Sequence, residues 1–326
     1  MSERKELKWA VLGCGVIANE FAQAMEKLGR KPYALGNRTY AKAVEFADKY
    51  GIETVYTDMN EVFSDPCVDV IYITTPHNTH INYLRPALKA GKHVLCEKSI
   101  TLNSGELKEA KLLAEENNVV LAEAMTLYHM PIYKKLKAMA DAGEFGQLNV
   151  IQMNFGSYKE YDMNNRFFNK NLAGGAMLDI GVYALSFARW FMKEKPEEMV
   201  SQVRFAKTGV DEQSSMLLKC ADGVMASVIL SLHSKQPKRG LLSYDKAYIE
   251  VQEYPRGMKA SITYTENGRT EEIEEGDTKN ALLYEILDME AAVCDGADMY
   301  LNYSEDVMDL MTEARQQWGM KYPEEM

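Results

Sequence analysis

Trp9-Ala10-Val11-Leu12-Gly13-Cys14-Gly15-Val16-Ile17-Ala18 is the stretch on which the reading of the fold turns. Four apolar residues lead into a G-x-G-x-x-A run, and from Val16 to Leu28 apolar residues recur at helical spacing. The pattern predicts a strand, a tight turn and a helix. Gly13 permits the turn, Gly15 lets a pyrophosphate approach the backbone without meeting a Cβ, and Ala18 allows close helix–strand packing. At the helix start, Val16 and Ile17 present backbone N–H groups and a partial positive charge to phosphates. Glycine pairs at strand ends also occur as plain structural turns. The position directly after a strand, inside a β-α-β pattern, is what points to a dinucleotide site.

The alternation continues outward from that turn. Lys31 to Gly36 reads as a strand and Ala41 to Tyr50 as a helix. Val68 to Thr74 is a β-branched run, Asn82 to Ala90 is helical and closes at Gly91, and His93 to Glu97 is a strand. Ser104 to Asn118 reads as a helix and Val119 to Glu123 as a strand. Such alternation implies an α/β Rossmann domain with a doubly wound parallel sheet, its strands apolar because both faces are buried. After a helix from Met130 to Ala142 the pattern changes. Leu148 to Tyr158 and Val224 to Leu232 read as strands, the latter with Val224, Ala226, Val228, Leu230 and Leu232 on one face. Asp222-Gly223 and Asn267-Gly268 are hairpin turns. Two helices, Ala281 to Asp295 and Ser304 to Met320, end the chain. The expected organisation is a nucleotide domain over 1–124 and an α+β domain over 125–326 with a large, mostly antiparallel open sheet.

Composition narrows the function. With 37 Lys+Arg against 48 Asp+Glu the net charge is −11, which disfavours nucleic acid and anionic membrane surfaces. The cysteines Cys14, Cys67, Cys96, Cys220 and Cys294 are scattered and form no CxxC pair, so neither a disulfide framework nor a metal site is expected. Met1 to Lys8 is charged and lacks a signal-peptide core. No apolar run of about 18 residues stands out, so a cytoplasmic protein without a membrane span is expected.

The end of the second strand bears on which nucleotide binds. An NAD site usually places an acid there for the ribose 2′-hydroxyl. Here the segment is Gly36-Asn37-Arg38-Thr39, with no acid. Arg38 can pair with a 2′-phosphate, and Asn37 and Thr39 can add hydrogen bonds, which favours NADP(H) over NAD(H). The plainer alternative makes Arg38 a solvated loop residue and Thr39 a helix N-cap.

Four segments together resemble the Gfo/Idh/MocA oxidoreductase family: Gly13 to Ala18; Thr75-Pro76-His77-Asn78-Thr79-His80; Ala90-Gly91-Lys92-His93-Val94-Leu95-Cys96-Glu97-Lys98; and Gly174-Gly175-Ala176-Met177-Leu178-Asp179-Ile180-Gly181-Val182-Tyr183. The resemblance implies an NADP(H)-dependent enzyme that transfers hydride to or from a carbinol or carbonyl carbon of a polyol, sugar or dihydrodiol. It further implies cofactor contacts from Thr75, Pro76, Asn78, His80, Glu97 and Lys98. The strand-rich half should expose one sheet face too apolar to remain bare, so a homodimer through the C-terminal sheet is expected. The chain departs from the family's usual Glu-Lys-Pro at Ser99, which leaves the geometry of the Lys98–Ser99 peptide open. It also has Tyr183 where many members have His, like the branch containing dimeric dihydrodiol dehydrogenase and glucose–fructose oxidoreductase.

These residue types suit the chemistry. Lys98 follows a strand C-terminus, where such sheets present ligands, and an ammonium there can stabilise a developing alkoxide. Asp179 and Tyr183 are four apart and share a face if helical. Asp179 can orient a substrate hydroxyl. Tyr183 can exchange a proton near neutral pH if a cation such as Lys98 favours its phenolate. The plainer alternatives are a surface pair at Glu97-Lys98, a capping Asp179 and a core Tyr183. His77, His80 and His129 lack a completing carboxylate or cysteine, so His80 reads as a hydrogen-bonding residue rather than a metal ligand. Phe155, Tyr158, Tyr161, Phe167 and Phe168 are candidates for the substrate mouth. A non-catalytic NADP-binding sensor is the competing class; it predicts loss of the catalytic set, which is present.

Overall fold

The computed structural model describes residues 6–326; the first five residues of the charged start lie outside them. The chain divides into two compact units. One holds the chain up to Thr101 with Gly105–Ala124 and Leu282–Leu301, the other Leu102–Ser104, Met125–Ala281 and Asn302–Met326.

The first unit is built on short apolar strands: β1 (Trp9–Leu12), β2 (Ala34–Gly36), β3 (Thr54–Tyr56), β4 (Val70–Ile73), β5 (His93–Glu97) and β6 (Leu121–Ala124). Every residue of β1, β2, β4 and β6 is buried, as strands covered on both faces must be. All pairings are parallel, in the order β3-β2-β1-β4-β5-β6. The order reverses between β1 and β4, the switch point at which open α/β sheets bind ligands. Helices Val16–Lys27, Tyr40–Tyr50, His80–Lys89 and Ser104–Glu116 carry four of the crossovers. The three residues of β3 were not read from the sequence, being too few to show a period.

The segment Leu282–Leu301 returns to this unit late in the chain. Glu290 explains the attachment. It accepts from the indole of fully buried Trp9 at 3.0 Å and from both terminal nitrogens of Arg30 at 2.9 and 3.2 Å. Such a two-pronged charged pair, largely shielded from water, fixes orientation as well as energy.

The second unit is organised around β7 (Leu148–Gly156), β8 (Glu198–Phe205), β9 (Asp211–Lys219), β10 (Met225–Ser231), β11 (Arg239–Tyr244), β12 (Ala247–Gln252), β13 (Lys259–Tyr264) and β14 (Thr270–Glu274). They form one sheet in the order β14-β13-β12-β11-β7-β10-β9-β8. Every pairing is antiparallel except β7 with β10. Gly223 and Gly268, at φ +91 and +67, make the β9–β10 and β13–β14 turns. Val224, Ala226, Val228, Leu230 and Leu232 are all buried, as their alternation predicted.

The buried face packs on the helix Val182–Phe191. A Cβ on Gly240 would lie 2.7 Å from the Phe187 ring, and one on Gly181 would lie 2.8 Å from Leu230. These two glycines let helix and sheet meet closely. The stretch Lys170–Phe191 has the length and composition to cross a membrane, a point the sequence reading passed over, and 78% of the apolar window is buried inside the protein. It ends in the core helix of this unit, Val182–Phe191, and its apolarity is explained by that burial.

Candidate functional site

Strand register sets up the first half of the site. Leu12 pairs with Gly36 and Ile73, and Ile73 with Cys96, so the strand ends form one row. The segments that follow, Gly13–Ala18, Asn37–Thr39, Thr74–His80 and Glu97–Lys98, therefore line one edge of the sheet. These include every residue expected to touch the cofactor.

The two glycines of the turn do different work. Gly13 adopts φ +106, donates its N–H to the Gly36 carbonyl at 2.8 Å, and leaves no room for a side chain, since a Cβ would lie 2.5 Å from Thr74 Oγ1. Gly15 has an ordinary φ of −77, and a Cβ there would meet nothing within 4 Å. Its lack of a side chain serves no internal packing. It leaves an open cradle over the N-terminus of helix Val16–Lys27, which no side chain caps. That is the shape a pyrophosphate needs, and the residues present fit a dinucleotide. After β2, the Asn37 side chain donates to the Thr39 carbonyl at 2.9 Å. Thr39 occupies the N-cap position but makes no capping bond with its side chain. Arg38 is exposed and has no ion pair among the described residues.

His80 joins the two loops that follow β4 and β5. It is fully buried, with Nε2 2.7 Å from the Thr75 carbonyl and Nδ1 3.0 and 3.2 Å from the carbonyls of Ser99 and Ile100. Burial pushes its imidazole below the usual histidine value, against the three carbonyls, which favour the protonated ring. Glu123, buried on β6, accepts the Ile100 N–H at 3.0 Å, and Tyr72 donates to Glu97. Half-buried Lys98 projects from this braced segment, and its peptide bond to Ser99 is cis. No group of three or more His, Cys, Asp or Glu side chains converges among the described residues.

In the second unit the Gly174-Gly175 turn leads into a widened π-helical turn, Met177–Gly181, which continues as the α-helix Val182–Phe191. The sequence reading expected helix here but not the wider turn, which commonly marks functional sites. From Ala173 to Met192 every residue is buried except Asp179 and Tyr183. In a segment otherwise sealed into the core, those two polar side chains alone reach the surface.

Their surroundings are partly as expected. Tyr183 lies beside Phe155, ring centroids 6.3 Å apart. Asp179 faces Arg166 Nη2 at 3.5 Å, a partner the sequence reading missed because nothing in spacing links the two. Arg166 and Lys159 both sit over the Phe167 ring, 4.5 and 4.2 Å from its centroid. Of the other aromatics, Tyr158 and Tyr161 are exposed while Phe168 is fully buried and Phe155 nearly so, placing the last two in packing. A cavity of about 410 Å³ opens in the first unit near Val119, Val120 and Leu121, at the opposite end of β6 from the strand C-termini, and includes none of these residues.

The parallel sheet with its glycine turn defines an NAD(P)-binding oxidoreductase. Residues 7–125 match the model of the oxidoreductase family with NAD-binding Rossmann fold, and 133–252 that of the GFO/IDH/MocA C-terminal domain. The chain belongs to the Gfo/Idh/MocA family. It is 30% identical over 337 residues to trans-1,2-dihydrobenzene-1,2-diol dehydrogenase of Mus musculus, covering 98% of this chain and 99% of that one. The Xenopus tropicalis enzyme of the same name is 29% identical over 332 residues, covering 97% and 99%. Among solved structures, the 3-ketoreductase KijD10 from Actinomadura kijaniata, in complex with NADP, superposes with a TM-score of 0.85 at 21% identity over 96% of this chain and 98% of that one. Levoglucosan dehydrogenase with NADH and levoglucosan gives 0.86 at 18% identity over 96% and 97%. The relatives are dehydrogenases, so the chain is read as an enzyme rather than a sensor.

The contrast between the glycines is testable. Gly15→Ala should leave the melting temperature unchanged and weaken NADPH binding, because the added methyl occupies only the cradle. Gly13→Ala should lower the melting temperature as well, since it combines a left-handed φ with a collision. Thermal melts with NADPH fluorescence titrations separate the two; a destabilised Gly15→Ala would show that Gly15 is structural.

Proposed function

We propose that this protein is an NADP(H)-dependent dehydrogenase or reductase acting on a CH–OH or carbonyl carbon of a dihydrodiol, sugar or related polyol. The observation that carries the reading is the pair Asp179 and Tyr183, alone unburied in a core segment, together with Lys98 at the end of β5. The first unit is the nucleotide domain and the second the substrate and dimerisation domain. The nicotinamide supplies or accepts the hydride; the protein's residues manage the proton. Lys98 stabilises negative charge on the reacting oxygen. Tyr183 gives up or takes the hydroxyl proton, and Asp179 holds and orients a substrate hydroxyl. Arg166, 3.5 Å from Asp179, gives that carboxylate a countercharge. His80 holds the Thr75 and Ser99 loops against the cofactor, with Pro76, Asn78 and Glu97 beside it. Five free thiols suit a cytoplasmic location.

Arg38 supports NADP(H) over NAD(H): an exposed guanidinium with no ion pair among the described residues stands where an NAD site has an acid. Arg38→Asp should weaken NADPH binding by about 10- to 100-fold and leave NADH binding nearly unchanged. Fluorescence titration with both cofactors measures this, and equal losses would remove Arg38 from the 2′-phosphate role.

The proton-transfer roles are tested by NADPH formation from trans-1,2-dihydrobenzene-1,2-diol and from a panel of aldoses. Tyr183→Phe should fold normally and lose about 10²–10⁴ in turnover. Lys98→Met should lose a comparable amount. If both act on one proton transfer, the double variant is little worse than the poorer single. Near-normal turnover in Tyr183→Phe would move the role to Lys98.

The exposed sheet face carries the apolar residues Val150, Val200, Leu217, Met225, Ile229 and Tyr248, and apolar patches on a surface mark interaction sites. We expect a homodimer through this face. Light scattering at micromolar concentration should give twice the chain mass, and Leu217→Arg should give the mass of one chain.

A further inference from the structure

The Gly174-Gly175 turn is gripped by groups that take no part in the proposed chemistry. Tyr322, fully buried near the end of the chain, donates its hydroxyl to the Gly174 carbonyl at 2.8 Å. Asp211, fully buried at the first position of β9, accepts the Met177 N–H on Oδ2 at 2.6 Å. A Cβ on Gly175 would lie 2.2 Å from Asp211 Oδ1 and 3.4 Å from the Tyr322 hydroxyl. One on Gly174 would lie 2.8 Å from the carbonyls of Arg166 and Phe167. The turn is therefore closed on each side, although glycines on their own are the most mobile residues a chain can use.

Tyr322 is itself anchored. The Arg315 guanidinium sits over its ring at 4.9 Å and pairs with Glu325 at 2.6 Å. Glu325 also accepts from the Tyr322 amide at 2.9 Å and the Asn103 side chain at 3.0 Å. Arg315 further donates to the Leu102 carbonyl. All of these residues lie in the second unit.

We propose that Asp211 and Tyr322 are positioning residues that clamp the Gly174-Gly175 turn, and so aim the segment carrying Asp179 and Tyr183. The inference rests on the reading of Tyr183 given above. Both residues are fully buried. Each acts through the backbone six to nine positions before Tyr183, and misplacing a reacting group by about 1 Å can cost about 100-fold in rate.

Asp211 also makes the clamp sensitive to pH. Burial raises its pKa to about 7, opposed by the amides of Met177, Asp211 itself and Ala176 and by the Arg315 guanidinium. The other titratable and charged groups around the turn are Tyr322, Glu324 and Glu325 in the last turn, Glu212 beside Asp211 on β9, and Asp179 and Arg166 beyond the turn. The ionised carboxylate is the stronger acceptor for the Met177 N–H, so the clamp holds above about pH 7 and slackens below it. The sign for stability is the reverse. The raised value means the fold favours the neutral acid, a contribution present below the ordinary carboxylate range and lost as pH rises through about 7.

Asp211→Asn keeps the shape and Tyr322→Phe removes only the hydroxyl. Both are compared with the unaltered protein by hydrogen exchange of peptides spanning residues 174–186, by NADPH binding, and by kcat against pH with trans-1,2-dihydrobenzene-1,2-diol and NADP+. Expected are faster exchange in that segment, unchanged NADPH affinity, and a kcat about 10- to 100-fold lower. The limb of the kcat profile near pH 7 should vanish in Asp211→Asn and persist in Tyr322→Phe. The melting temperature of Asp211→Asn relative to the unaltered protein should rise between about pH 5 and about pH 8. Unchanged exchange in both variants overturns the clamp whatever Tyr183 does, and faster exchange with unaltered turnover, where Tyr183→Phe is impaired, overturns its role in aiming Tyr183. Normal turnover in Tyr183→Phe would instead defeat the catalytic reading, while the exchange data still decide the clamp.

Discussion

A parallel strand buried on both faces can carry chemistry only at its ends. In the first unit that constraint places everything else. Trp9 to Leu12 and Val70 to Ile73 have no exposed side chain to offer, so polar function falls to the loops that leave their C-termini. Parallel pairing brings those loops to one edge in register. The second unit meets the same problem with a helix in place of a strand. Its core helix is buried almost throughout, and the two residues that escape burial are a carboxylate and a phenol.

In both units the residues proposed to react stand on segments braced by buried polar contacts. Lys98 extends from a loop tied by His80 and Glu123. Tyr183 extends from a turn tied by Asp211 and Tyr322. A carboxylate or imidazole in an apolar interior costs the fold unless its hydrogen bonds are met. Placing such groups behind Lys98 and Tyr183, rather than beside them, exchanges some stability for fixed geometry.

Much of this was legible from residue order. The glycine turn stood out because strand, turn and helix periods change within ten residues. The β10 face was readable because Val224 to Leu232 alternates without a break. What escaped detection lacked a period. β3 is too short to show one, and the π-helical turn at Met177 differs from an α-helix by a single residue of spacing. Asp211 and Tyr322 carry no local signal either, since an acid opening a strand and a tyrosine near a chain end look like surface residues until the contacts that bury them are known. Arg166 meets Asp179 only through the folded loop. Family resemblance pointed to Lys98, Asp179 and Tyr183, whereas periodicity alone left each with a plain structural alternative.

Glu290 has a consequence for how the chain comes to be folded. Domains generally form as units as they leave the ribosome, the N-terminal one first. Here the indole of Trp9, on the first strand, and the guanidinium of Arg30 wait for a carboxylate that lies 281 and 260 positions further on. The nucleotide unit can begin to assemble early, but these contacts close only once residue 290 has been made. A nascent or truncated chain ending at residue 124 would leave the Trp9 indole and the Arg30 guanidinium without that carboxylate.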